Sequence, residues 1–170
     1  MSIRNKTIEE LLNMQQELHL SREEEKDGSL HQLISVYEEL YRRIASDENS
    51  EYASSLESIK RKLILYLVRY GTYLKTEYRK DDRAAERTLK KAIQYDRKNP
   101  IAHYRLGFLA YKQRSYLLAV THFQHAVQYQ QACSNKEYRL NNQQNYNAHL
   151  YLSNSALYIA QKAQESLERL

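Results

Sequence analysis

The chain has 170 residues and a net charge of +5, and its three Gly and one Pro leave too little punctuation for the many turns of a sheet protein. A single cysteine, Cys133, excludes an internal disulfide and any Cys-based zinc site, so a cytoplasmic protein is expected. The longest apolar run, Leu63 to Val68, is far too short to cross a bilayer, and the first ten residues lack the apolar core of a signal peptide; no membrane association is expected.

Apolar side chains recur at three- and four-residue spacing almost throughout, which predicts about seven helices. The first spans roughly Thr7 to His19. Thr7 and Glu10 form a capping box there, and Ile8, Leu11, Leu12 and Leu18 make the apolar stripe. Glu23 to Gly28 reads as a charged turn. The second helix is expected to start at Ser29, boxed with Gln32, and to carry Leu30, Leu33, Ile34, Tyr37, Leu40, Tyr41 and Ile44 on one face. After the polar stretch 46–50, a long third helix carries Tyr52, Leu56, Ile59, Leu63, Leu67, Tyr70 and Leu74. Asp81 or Asp82 caps a shorter fourth helix bearing Ala85, Leu89, Ala92 and Ile93.

Asn99 followed by Pro100 is a strong start signal, because Asn accepts from the free backbone donors and Pro suits the first turn. The fifth helix therefore begins at Pro100 and ends near Arg114. Ser115 caps a sixth that extends to about Gln131. Residues 132–142 read as a polar loop, and a final helix runs to the end.

At an offset of 34, Ala85 pairs with Ala119, Leu89 with Phe123, Ala92 with Ala126 and Tyr95 with Tyr129, a period that belongs to helical repeats. Within residues 100–131, Leu106-Gly107 lies twelve residues before Ala119, which lies seven before Ala126, with Tyr116 in the turn. This segment resembles the tetratricopeptide repeat family. Gly71, Tyr73, Ala85, Leu89 and Ala92 form a degenerate earlier copy whose turn is two residues longer, and 148–153 echoes 102–107 at an offset of 46. The resemblance implies an all-α helical-repeat stack over residues 61–170 that ends in a capping helix. Residues 1–60 form an N-terminal helical region expected to pack on it. A mid-helix glycine costs about 1 kcal/mol, so Gly107 is expected where a neighbouring helix comes close.

The expected function follows from the resemblance and from what is missing. There is no glycine-rich phosphate loop and no nucleophile with a plausible base, so no catalytic residue is assigned and no enzyme is expected. His122 and His125 lie three apart, a spacing two metal ligands can use. Without a third ligand nearby in sequence they read as ordinary surface histidines, and no metal or cofactor is expected. The resemblance implies a module that binds another protein or peptide segment through a groove, with Ile101, Tyr104, Phe108, Tyr111 and Lys112 facing it. An apolar or aromatic segment is the expected ligand, and a second copy of the chain in a homodimer is an alternative occupant.

Charge is unevenly placed. Residues 1–59 carry 6 basic and 13 acidic side chains, whereas residues 60–100 carry 13 and 5. Complementary surfaces within one fold are the first reading of that block pattern. The competing function is a nucleic-acid-associated helical regulator using the basic segment 60–98, but its charges fall on several helix faces rather than in one stripe.

Overall fold

The computed structural model describes residues 3–20, 27–47, 51–76 and 80–169. Among them the protein is all-α, with seven α-helices and no strand: α1 (Ile8–Leu20), α2 (Asp27–Ser46), α3 (Leu56–Leu74), α4 (Asp82–Tyr95), α5 (Pro100–Lys112), α6 (Tyr116–Ala132) and α7 (Asn142–Leu167).

Local chemistry explains most helix starts. The Thr7 hydroxyl accepts from the Glu10 amide at 3.1 Å, and the Glu10 carboxylate accepts from the Thr7 amide, so the expected box forms ahead of α1. Asp81 accepts from the Ala84 amide at 2.9 Å and Asn99 from the Ala102 amide at 3.0 Å, with Pro100 in the first turn of α5. Asn141 and Gln144 make a reciprocal box at the start of α7. Ser115 precedes α6 as expected, yet its hydroxyl makes no capping bond; the turn is set instead by Arg114 at φ 59, from which the chain reverses while the Ser115 amide bonds to the Ala110 carbonyl. The charged turn expected at 23–28 lies mostly outside the described residues, as does the side chain of Ser29. α2 itself begins two residues earlier, at Asp27.

Successive helices pack on one another along the chain, and α3 touches α5 as α5 touches α7, which is the pattern of stacked helix pairs: α3 with α4, α5 with α6, and α7 as the first helix of a further unit. The core runs through the stack. α1 and α2 bury Leu11, Leu33, Val36, Tyr37 and Leu40 against Leu63 and Leu67 of α3. Leu74, Ala85, Leu89, Leu106 and Leu109 then join α3, α4 and α5. Tyr104, Ala119, Phe123, Ala126 and Ala148 join α5, α6 and α7. α3 crosses position 60 without a break, so the N-terminal helices and the first helix pair share one apolar interior.

Small residues set the spacing. A Cβ on Gly71 would lie 2.7 Å from Cγ of Leu89, and one on Gly107 would lie 2.9 Å from the Phe123 ring. Both glycines therefore stand where the partner helix of their own pair comes close.

Among the described residues the contact between the acidic N-terminal region and the basic middle is mainly apolar. Among them one ion pair, Lys91 with Glu38, links α4 to α2; Lys60 pairs with Glu57 and Lys90 with Glu86 inside their own helices. Glu39 spends its charge within α2 on Arg42 and Arg43, whose hydrogen bonds and charges hold its carboxyl down to about 2. Arg43 in turn donates to the backbone carbonyls of Arg4 and Lys6, tying down the segment ahead of α1.

Candidate functional site

A groove of about 810 Å³ lies between α3 and α5. Leu65, Arg69 and Thr72, spaced four and three apart, share one face of α3 and line the groove together with Tyr66, Val68 and Tyr73; Thr76, just past the end of α3, and Leu30 and Leu33 of α2 complete that side. Ile101 and Arg105 form the α5 wall. Tyr138, from a 3-10 turn at Lys136–Tyr138 in the α6–α7 connection, closes one end and donates its hydroxyl to the Arg61 carbonyl at 2.6 Å. A polar loop was the expectation for 132–142; in the structure it also buries Tyr138 and Leu140.

The groove is largely apolar, and its charged lining residues are Arg69, Arg105 and Glu137. Arg105 Nε is buried and makes no hydrogen bond, and burial pushes the guanidinium below its ordinary range. The ammonium of Lys75 sits 4.3 Å from the centre of the Phe108 ring. Burial, joined by the charges of Arg105 and Lys112, brings the Lys75 pKa down to about 8. Lys112 is held by Asp82 at 2.7 Å. A negative group placed here would meet one buried donor without a hydrogen bond, Arg105 Nε.

The five residues expected to face a groove divide between two surroundings. Ile101 lines the groove between α3 and α5. Tyr104 is buried in the α5–α6–α7 core with its ring 6.1 Å from that of Phe123. Phe108 and Tyr111 lie against Tyr151 of α7, with ring centres 5.5 Å and 4.8 Å away. Lys112 points to Asp82. Arg69 and Lys75 belong to the basic segment 60–98 of the competing reading, whereas Arg105 is expected in neither site, although it stands four residues after Ile101, one helical turn further along the same face.

A second polar cluster lies between α5 and α6. The expectation of surface histidines fails for His122, which is buried, because α5 brings His103 over it. Their Nδ1 atoms are 3.1 Å apart, and His103 Nε2 is 2.9 Å from the Arg97 carbonyl. Since a carbonyl only accepts, His103 donates from Nε2 and accepts at Nδ1, and His122 donates from Nδ1. His125 lies 4.9 Å from His103 ring to ring and stacks on Tyr129. Burial lowers the pKa of His103, and burial with the neighbouring imidazoles brings His122 to about 4. Among the described residues no group of three His, Cys, Asp or Glu side chains has the arrangement to hold a metal ion. No helix among them is long and apolar enough to cross a membrane.

The fold and groove define an all-α helical-repeat protein with a lined cleft between successive first helices of its pairs. Set against models of known protein families and against curated sequences, the chain matches none.

Proposed function

We propose that this chain is a non-catalytic, cytoplasmic interaction module of tetratricopeptide type that holds a segment of another protein in the groove between α3 and α5. The observation that carries this reading is Arg105, whose buried Nε makes no hydrogen bond at the edge of an apolar groove of about 810 Å³. A buried donor left alone is costly, and a ligand carboxylate would satisfy it. The preferred segment thus carries an apolar side chain for Leu65 and Ile101 and an acidic group for Arg105 and Arg69, placed away from Glu137. That departs from the expectation of an apolar or aromatic segment. Several lysines of segment 60–98 are already engaged by Glu38, Glu57 and Glu86, which weakens the nucleic-acid alternative.

Peptide display from a random library on the intact chain tests this. Binders enriched in Asp or Glu beside an apolar residue are expected, and their affinity should fall at least roughly tenfold for Arg105→Glu, about 1.4 kcal/mol. Enrichment without acidic residues, or binding indifferent to Arg105→Glu, would defeat the reading.

A further inference from the structure

α7 is apolar on two opposite faces. Towards the body it presents Ala148, Tyr151, Leu152, Ser155 and Ile159, with Ala148 and Ser155 fully buried. On the opposite side Tyr146, Leu150, Ser153, Leu157, Ala160, Gln164 and Leu167 recur at alternating spacings of four and three, and all seven are exposed. Leu157 is 61% and Leu167 71% exposed. Alternation of four and three over three heptads is the pattern of a helix that packs along another helix. With 26 residues, α7 is about 39 Å long, enough for such a seam.

We propose that α7 pairs antiparallel with α7 of a second copy of this chain. The seam is self-complementary about a two-fold axis placed between Leu157 and Ala160. In that register Leu150 meets Leu167 of the partner copy, Ser153 meets Gln164, and Leu157 meets Ala160, each pair occurring twice. The two polar positions of the seam therefore face each other, and the large central side chain meets a small one. Flanking positions agree: Asn147 lies opposite Glu168, Asn154 opposite Gln161, and Ala156 opposite Ala163. No like charges meet. The two charges of Lys162 and Glu165 pair with each other on α7 itself, at 2.7 Å. A foreign helix would have no reason to repeat this matched order of polar and small positions.

The area is adequate. The seam exposes on the order of 500 Å² of apolar side chain, at the upper range for a monomer, and the flanking polar groups add most of the roughly 800 Å² per partner that a stable dimer buries. Tyr116 packs on Tyr158 with ring centres 4.1 Å apart, so the first turn of α6, with exposed Leu117, lies beside the same helix.

Sedimentation equilibrium of the full chain over a concentration series tests the pairing, with circular dichroism to verify that each variant keeps its helices. Wild type is expected to dimerise, and Leu157→Glu and Ala160→Lys should each weaken the dimer at least roughly tenfold. An equimolar mixture of the two should regain it, because Glu and Lys then face each other only in the antiparallel register. A wild type that stays monomeric, a dimer untouched by Leu157→Glu, or a mixture that remains monomeric would each overturn the proposal. Because the variants leave the groove intact, peptide binding remains measurable independently.

Discussion

The Cβ that Gly107 lacks would stand 2.9 Å from Cδ1 of Phe123, a ring with no exposed surface. The α5–α6 contact is thus set by one absent methyl group. The same relationship recurs between Gly71 and Leu89 in the α3–α4 pair, although the turn there is longer.

Gly107→Ala should therefore destabilise the protein even though alanine is the better helix former by about 1 kcal/mol. The overpacking term, about 1 to 3 kcal/mol, is expected to win because the contacting atoms belong to a fully buried ring. Phe123→Leu in the Gly107→Ala background should recover part of the loss. Urea midpoints of the three proteins measure this, and a midpoint for Gly107→Ala at or above wild type would remove the glycine from the contact.

Acid should loosen the α5–α6 pair before it affects the rest. His122 binds its proton near the ordinary pH of about 6.5 when unfolded but only near about 4 when folded. Below pH 6.5 the unfolded chain holds more protons, so stability present at neutral pH is lost as the pH falls from about 6.5 to 4. The loss is on the order of 3 kcal/mol. Glu86 and Lys90 of α4, His103 of α5, Asp96 and Arg97 ahead of it, and His125 and Tyr129 of α6 face this cluster. His122→Gln should flatten the stability profile between pH 6.5 and 4, leaving the fall at lower pH that comes from Glu39. Denaturant unfolding at several pH values gives the comparison; an unaltered slope in the variant would assign the loss elsewhere.

Lys75 should titrate near pH 8, and its neighbour sets part of that value. Arg105→Gln removes a positive charge, so the ammonium of Lys75 should become easier to keep and its pKa should rise. Side-chain amine resonances followed by NMR across a pH series report this directly. A Lys75 that already titrates at the ordinary lysine value in the wild type would contradict its burial beside Arg105 and Phe108.

Removing residues 1–48 should expose Ile59, Leu63, Tyr66 and Leu67 of α3, which α1 and α2 cover. At roughly 25 cal/mol per Å² of apolar area, that surface is expected to drive aggregation. Since the described contact between these regions is chiefly apolar, with Lys91–Glu38 as its ion pair among the described residues, the aggregation should persist at high salt, where attraction between exposed charges is screened. Light scattering of the truncated chain at two salt concentrations distinguishes the cases. A truncation that is soluble at high salt alone would restore charge complementarity as the main bond between the two regions.

What the sequence determined by itself is local. Thr7 with Glu10, Asp81, and Asn99 with Pro100 mark helix starts because a cap bonds to an amide three residues away, within reach of the chain's own geometry. The offset of 34 between Ala85, Leu89, Ala92 and Ala119, Phe123, Ala126 was legible for the same reason, since each set lies on one helix face, and all six are fully buried. Tertiary structure alone decided which face meets which neighbour. His103 joins His122 across nineteen residues, so neither side chain announces the other. Tyr104, Phe108 and Tyr111 share a stretch of α5 with Ile101, yet α7, forty residues further on, covers three of them and leaves Ile101 and Arg105 on the groove. Periodicity along one helix fixes the faces; the packing of helices distant in the chain assigns each face to core, cleft or solvent.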